Sequence, residues 1–92
     1  MKVVLKIEDD ISSLRNWDEF SEKLMKLVDS GFSEITIDLQ GVKKISSLAL
    51  GAIVASHQKM SSAGRRLVVA NICDELKKLL GETKILSMID TR

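Results

Sequence analysis

Alternating apolar and polar residues predict several short β-strands along this chain. Val3, Leu5 and Ile7 alternate with charged neighbours, and Ile35, Ile37 and Leu39 do the same further on. A period of two is typical of strands, because successive side chains point to opposite faces of a sheet. Residues 66–71 are rich in Leu and Val and predict a third strand, and residues 85–89 predict a last one.

Helical spacing separates these strands. Five apolar residues predict a helix over residues 17–30 that buries one face: Trp17, Phe20, Leu24, Leu27 and Val28. Asn16 and Glu19 have the spacing of a capping box at its start. A second helix is expected from Ser46 or Ser47 to about residue 63, where Gly64 ends it, and a short third helix over residues 73–80.

The element order is therefore β-α-β-α-β-α-β, which predicts an α/β fold with a mixed or parallel sheet of about four strands. The strands keep a polar alternate set, so we expect the helices to pack on one face and the other face to be partly solvated. The crossover through residues 34–71 should be right-handed. Ninety-two residues predict a single domain over 1–92.

Charge and composition exclude several function classes. The 14 basic and 13 acidic residues nearly cancel, and aromatic residues are only 3% of the chain. Nucleic-acid binding usually needs clustered basic charge or an aromatic stacking platform, so we expect no nucleic-acid partner. The sequence has one Cys and one His. We therefore expect no disulfide within the chain and no metal site, since each needs more such residues. Charges interrupt the first residues too early for a signal peptide, and no apolar run can span a bilayer, so we expect a cytoplasmic protein.

Catalytic motifs are absent from the sequence. His57 shares the predicted inward face of its helix with Leu50, which favours a partly buried structural histidine. Cys73 lies at a predicted helix start, where a thiol can become acidic, but a small apolar or capping role is more common there. With no phosphate-binding loop and no nucleophile motif, we predict a protein that is not an enzyme and has no cofactor.

The pair Ser46-Ser47 supports two interpretations. Serine is a preferred helix N-cap, since its oxygen accepts a hydrogen bond from a helix amide. The same position suits a phosphoserine, because helix amides and the helix dipole favour an anion there. Lys43 and Lys44 precede the pair and add positive charge.

The outward stripe of this second helix is unusual because it is almost uncharged. It comprises Leu48, Ala52, Ala55 and Lys59. A solvated helix face usually carries charges, so the stripe suits a docking surface for another protein. Alanine is also simply a good helix former, and the sequence leaves both interpretations open.

Three segments of the chain resemble the STAS domain of bacterial anti-sigma factor antagonists. They are Ile35-Thr36-Ile37-Asp38-Leu39, then Ile45-Ser46-Ser47-Leu48-Ala49-Leu50-Gly51, then Ala63-Gly64 with the following Leu-Val-rich strand. The family has a hydrophobic-Asp-Leu strand, an Asp-Ser-Ser/Thr-Gly-Leu-Gly helix start and a Gly-containing turn. In this register Ser47 matches the phosphorylated serine, Ser46 replaces the family's Asp, Leu48 matches the second Ser/Thr and Ala49 matches the Gly.

The resemblance implies a regulator that binds an anti-sigma factor with serine/threonine kinase activity, is phosphorylated by it and is restored by a phosphatase. Ser47 is then the expected phosphorylation site, with Ser46 as the alternative. The expected partner-binding residues are Lys43, Lys44, Ser46, Leu48, Ala49, Ala52, Ala55 and Lys59. The alternative is a constitutive subunit of a stress-signalling assembly or of an ABC-type lipid-transport complex, without phosphorylation. A homodimer is a further open alternative.

Overall fold

A computed structural model describes residues 1–7, 14–82 and 87–91 of the chain. Within these residues, strands and helices alternate in the predicted order. The elements are β1 (Lys2–Lys6), α1 (Leu14–Asp29), β2 (Glu34–Asp38), α2 (Ser47–Ser62), β3 (Arg66–Ala70), α3 (Asp74–Glu82) and β4 (Asp90–Thr91). The predicted α/β class is confirmed.

The described strands form one sheet in the order β1-β2-β3-β4, and every neighbouring pair is parallel. The expectation of a mixed or parallel sheet therefore narrows to a parallel one. Lys6, Asp38 and Ala70 lie side by side across the first three strands. The carboxyl ends of these strands consequently share one edge of the sheet, and each following connection leaves from that edge.

All three helices lie on the same face of the sheet, as predicted. Right-handed crossovers between strands that follow chain order put every connecting helix on one side. One cluster of buried side chains joins the alternate strand positions Ile35, Ile37, Leu67 and Val69 to residues of every helix: Phe20, Leu24 and Val28 of α1, Ala49, Leu50, Ile53 and Met60 of α2, and Leu76 and Leu80 of α3. This cluster is the hydrophobic core.

The opposite face of the sheet is less solvated than the sequence suggests. Thr36 and Val68, on the central strands, are buried although they belong to the alternate set that points away from the core cluster. Glu34 is also buried, and its carboxylate lies near Lys2 and Arg66 of the neighbouring strands, at 4.0 and 3.9 Å. Val4 on the edge strand is 62% exposed, so the prediction of a partly solvated face holds for β1.

Several predicted element boundaries differ from those of the structure. Helix α1 begins at Leu14, so Asn16 lies inside the helix and does not cap it. Residues 87–89 form a turn rather than a strand, and β4 begins only at Asp90. Residues 85 and 86 of that predicted strand lie outside the described residues. Helix α3 begins at Asp74, one residue after the predicted start.

Arg65 connects two turns: the turn between α1 and β2 and the turn between α2 and β3. Helix α2 ends as predicted at a left-handed glycine, Gly64, whose φ is +73°. The next residue, Arg65, donates from Nε to the carbonyl of Phe32 at 2.6 Å and from a terminal nitrogen to the carbonyl of Val28 at 2.8 Å. A planar guanidinium can hold two carbonyls in this way, so the end of α1 is fixed to the start of β3.

The placement of Phe20 gives a stability prediction. Phe20 is buried in the core and Trp17 packs half-buried against it, which agrees with a core role for both. Phe20→Ala should lower the free energy of unfolding by about 3 kcal/mol, because the lost burial leaves a cavity. The control is Met25→Ala on the same helix, where a side chain that is 48% exposed should change stability by less than about 0.5 kcal/mol. Urea unfolding of both variants measures the difference, and equal effects would contradict a core role for Phe20.

Candidate functional site

The carboxyl edge of the sheet brings together the loop before α2, the start of α2 and the start of α3. The backbone amide of Leu39 donates to the carbonyl of Ala70 at 3.0 Å, which continues the β2–β3 pairing past the last strand residue. The thiol of Cys73 lies 3.5 Å from the carbonyl of Val42 and joins the α3 start to the loop. Every sequence-predicted site residue except those further along α2 lies at this edge.

Asp38 accepts hydrogen bonds from two segments at the edge. Its carboxylate oxygen Oδ1 accepts a hydrogen bond from the amide of Gln40 at 3.0 Å and another from the side-chain nitrogen of Asn71 at 3.1 Å. Asn71 adopts a left-handed conformation with φ of +57°, which asparagine tolerates better than most residues. These contacts fix the direction in which the chain leaves β2 and β3.

The loop between β2 and α2 is anchored by its apolar residues and exposes its lysines. Val42 is fully buried and Ile45 nearly so, and both belong to the core. Lys43 and Lys44 between them are exposed. The two buried side chains anchor the loop backbone, and the two lysines between them face outwards.

Ser46 is the N-cap of α2, as one of the two interpretations predicts. Its φ and ψ are −77° and 159°, its Oγ accepts from the amide of Ala49 at 3.2 Å, and its carbonyl accepts from the amide of Leu50 at 3.0 Å. A helix leaves its first four amides without partners inside the helix, and the Ser46 side chain serves one of them, that of Ala49. Its half-buried hydroxyl is therefore engaged in structure.

Ser47 differs from Ser46 in exposure. It is the first residue of α2 and is exposed, as is Leu48, whose side chain remains 56% accessible. An exposed serine at a helix N-terminus is in the position where amides and dipole favour a bound anion. The two serines thus separate into a capping residue and an accessible one.

The exposed face of α2 carries little charge. Ala55 and Lys59 are exposed as predicted, and Lys59 pairs with Asp29 of α1 at 3.2 Å. Gly51, which the sequence analysis gave as the last residue of the family-like motif but not as a surface residue, is exposed on the same helix. A Cβ built there meets nothing within 4 Å. Packing within the described chain therefore gives no reason for a glycine that costs about 0.5–1 kcal/mol relative to alanine.

Two of the expected surface residues need correction. Ala49 is fully buried in the core, because it follows the N-cap by three residues and points towards the sheet, so it cannot contact a partner directly. Ala52 is half-buried rather than outward. The accessible surface is formed by Leu48, Gly51, Ala55 and Lys59 instead.

The two residues considered for catalysis are His57, within α2, and Cys73, just before α3. His57 is half-buried as predicted, but its buried Nε2 makes no hydrogen bond within the described part of the chain and lies 3.5 Å from a carboxylate oxygen of Asp90. It is ten residues along α2 from Ser47, about 15 Å along the axis. Cys73 is half-buried against the core.

The described residues contain neither a metal-binding cluster nor a membrane-spanning helix. No three of their His, Cys, Asp and Glu side chains are grouped so as to hold a metal ion. None of the helices found in ranges 14–82 and 87–91 has the length and apolar character needed to cross a membrane.

Residues of α3 complete the edge and were missed by the sequence analysis. Glu75, Lys78 and Leu79 line an open groove together with Lys43 and Lys44. The element order could have indicated that α3 contributes to this edge, because the carboxyl ends of neighbouring parallel strands share an edge and α3 begins there. The period of α3 alone does not show which of its outward residues meet the loop.

Comparison with known protein families decides the relationship. The sequence pattern of the STAS domain matches residues 3–92. The chain belongs to the STAS family. The predicted resemblance is thereby confirmed over nearly the whole sequence, and with it the family's fold.

Solved structures show the same fold at low sequence identity. The crystal structure of TM1081 from Thermotoga maritima, a protein assigned only provisionally as an anti-sigma factor antagonist, has a TM-score of 0.85 at 21% identity. That match covers 97% of this chain and 77% of the other. An NMR structure of TM1081 gives 0.79 at 21% identity, with 98% and 73% covered. The anti-sigma factor antagonist SpoIIAA in its unphosphorylated form gives 0.72 at 10% identity, with 97% and 76% covered.

A comparison of the sequence with curated proteins found no match. The family and the fold are therefore known, whereas the partner has to be argued from the site.

The different roles of the two serines give a second stability prediction. Ser46→Ala should lower the free energy of unfolding by about 1 kcal/mol, because the Ala49 amide loses its acceptor. Ser47→Ala is the matched control and should change stability by less than about 0.5 kcal/mol. Denaturant unfolding of both variants tests this, and a larger loss for Ser47→Ala would mean that Ser47 is the capping residue.

Proposed function

We propose that this STAS domain is an anti-sigma factor antagonist that binds an anti-sigma factor with serine kinase activity and is switched by phosphorylation of Ser47. The observation that carries the proposal is the pairing of a capped helix start with an exposed serine. Ser46 completes the cap, and Ser47 presents its hydroxyl at the first helical residue, beside the exposed Leu48.

Phosphorylation at this position favours a switch that acts on binding rather than on folding. A phosphoserine carries nearly two negative charges, and helix amides with the dipole stabilise an anion at a helix N-terminus. Lys43 and Lys44 precede Ser47 by four and three residues and add positive charge. The fold therefore tolerates the phosphate, whereas a partner packed on Leu48 must desolvate it or move away.

The surface that receives the partner is proposed to run from Leu48 along Gly51 and Ala55. Its small side chains let another protein approach the helix backbone closely. Such an approach also accounts for Gly51, for which packing in the described chain gives no reason. Lys59 closes the far end, where its ion pair with Asp29 holds α2 against α1.

A regulatory protein fits this edge better than an enzyme does. A nucleophilic serine needs a base within hydrogen-bond reach, and His57 is about 15 Å away along the helix. We therefore propose that the kinase and the phosphatase are partner proteins and that this chain supplies the substrate serine.

Replacing Ser47 tests the switch. Ser47→Asp should fold normally but bind the cognate anti-sigma factor at least about tenfold more weakly, because a charge is introduced into the interface. Ser47→Ala should bind constitutively. Binding to the cognate anti-sigma factor kinase is measured by calorimetric titration.

Phosphosite mapping after incubation with that kinase is the companion measurement. Modification at Ser47 is expected, and modification at Ser46 alone would show that the register is wrong by one residue. If neither serine is modified while binding persists, the constitutive STAS subunit is the correct description.

A charge introduced on the α2 surface tests the docking face. Ala55→Arg should weaken binding at least about tenfold, while the circular dichroism spectrum stays unchanged, because Ala and Arg are both good helix formers. Ser61→Arg on the same helix is the control, since Ser61 is exposed but lies on another side of the helix, about 120° around the axis from Ala55. Equal binding by both variants would place the partner on another face.

A further inference from the structure

The groove at the carboxyl edge is lined by more cations than anions, although the chain as a whole is nearly neutral. Its lining consists of Lys43 and Lys44 from the β2–α2 loop and Glu75, Lys78 and Leu79 from α3. Three of these five residues are cations and one is an anion. The groove is therefore a local positive patch that the net charge of +1 conceals.

Both walls of the groove are held by the core. Leu76 and Leu80 are buried, which fixes the rotation of α3 and turns Glu75, Lys78 and Leu79 outwards on one stripe. Such i, i+3 and i+4 spacing puts the three side chains next to one another. On the other wall, the buried Val42 fixes the loop that carries the two lysines.

Size and polarity suggest what the groove accommodates. Its volume is about 280 Å³, below the range of about 300–1,000 Å³ typical of small-molecule pockets, and it is open to solvent. Leu79 is 40% exposed and supplies an apolar surface among the lysines. A few side chains of an extended segment fit such a groove better than an enclosed ligand does, and they should combine carboxylates with an apolar residue.

We propose that the groove binds an acidic segment of the partner protein, with its carboxylates paired to Lys43, Lys44 and Lys78 and one apolar side chain on Leu79. The partner's role rests on the proposed function above. The groove also begins on the loop that leads to Ser47, so a phosphate there competes with the partner's carboxylates for the same lysines. Phosphorylation then weakens this second contact as well as the contact on α2.

A peptide probe tests the groove without the partner. The ¹⁵N-labelled protein is titrated with a blocked hexapeptide of alternating Glu and Leu, and with the same peptide carrying Gln in place of Glu. Amide shifts are expected at residues 43, 44, 75, 78 and 79 with the acidic peptide, and they should be lost with the Gln peptide and in high salt.

Two neighbouring lysines provide matched variants. Lys78→Glu reverses a groove charge and should weaken acidic-peptide binding at least about fivefold. Lys77→Glu makes the same change of net charge one residue away, outside the groove lining, and should alter binding less than about twofold. Glu75→Gln should strengthen binding, since it removes the one anion among the five lining residues that the structure describes. Thermal unfolding of each variant checks the fold, and Lys78→Gln should give an intermediate loss.

Several outcomes would overturn the proposal: equal loss for Lys77→Glu and Lys78→Glu, equal binding of the Gln peptide, or shifts elsewhere on the chain. Shifts at the groove with phosphatidylglycerol vesicles but not with the peptide would assign it to a lipid surface instead.

The partner titrations separate the groove proposal from the proposed function. If Ser47→Asp releases the anti-sigma factor while the acidic peptide does not bind, the switch stands and the groove assignment is wrong. If the peptide binds at the groove while the wild-type chain does not bind the anti-sigma factor, the proposed function is wrong.

Discussion

The arrangement of parallel strands in chain order is the constraint on which the rest of this structure depends. Each of the first three strands is followed by a helix and then by the next parallel strand. Such crossovers are right-handed as a rule, so the three helices pack on one face and the connections start at one edge. Residues separated by more than thirty positions, such as Val42 and Cys73, meet there. A chain of only 92 residues can therefore assemble its loop lysines, its helix start and a second helix into one continuous surface.

That edge is rigid for reasons that do not involve the serine proposed to be modified. Asp38 holds Gln40 and Asn71, Val42 and Ile45 are buried, and Ser46 caps the helix. Each of these contacts remains when Ser47 changes. A switch that must turn binding on and off without unfolding a small domain needs this separation, because the stability of such domains is only about 5–15 kcal/mol.

The sequence predicted those elements whose pattern of apolar residues is regular over a short segment. It did not predict features that depend on contacts between residues distant in the chain. The strand at Ile35 and Ile37 and the α2 boundaries at Ser46 and Gly64 follow from alternation and caps. The capping role of Asn16 was wrong because α1 starts at Leu14, and a capping-box spacing is matched by chance inside a helix. The burial of Thr36 and Val68 was missed because their neighbours come from other strands. Ala49 was taken for a surface residue because the family register gives its position along the chain but not the side of the helix on which it lies.

The same limit explains why the groove was invisible in the sequence. Lys43 and Lys44 were recognised as a pair, but Lys78 is more than thirty residues away, and the near-neutral composition argues against any charged site. Topology changes this conclusion, because it brings Lys78 of α3 beside Lys43 and Lys44 of the loop. Three of the five groove-lining residues are therefore lysines, and one, Glu75, is acidic. Net charge limits long-range attraction to a polyanion, but it does not limit recognition of a short acidic segment, which depends on charges within a Debye length of about 8–10 Å.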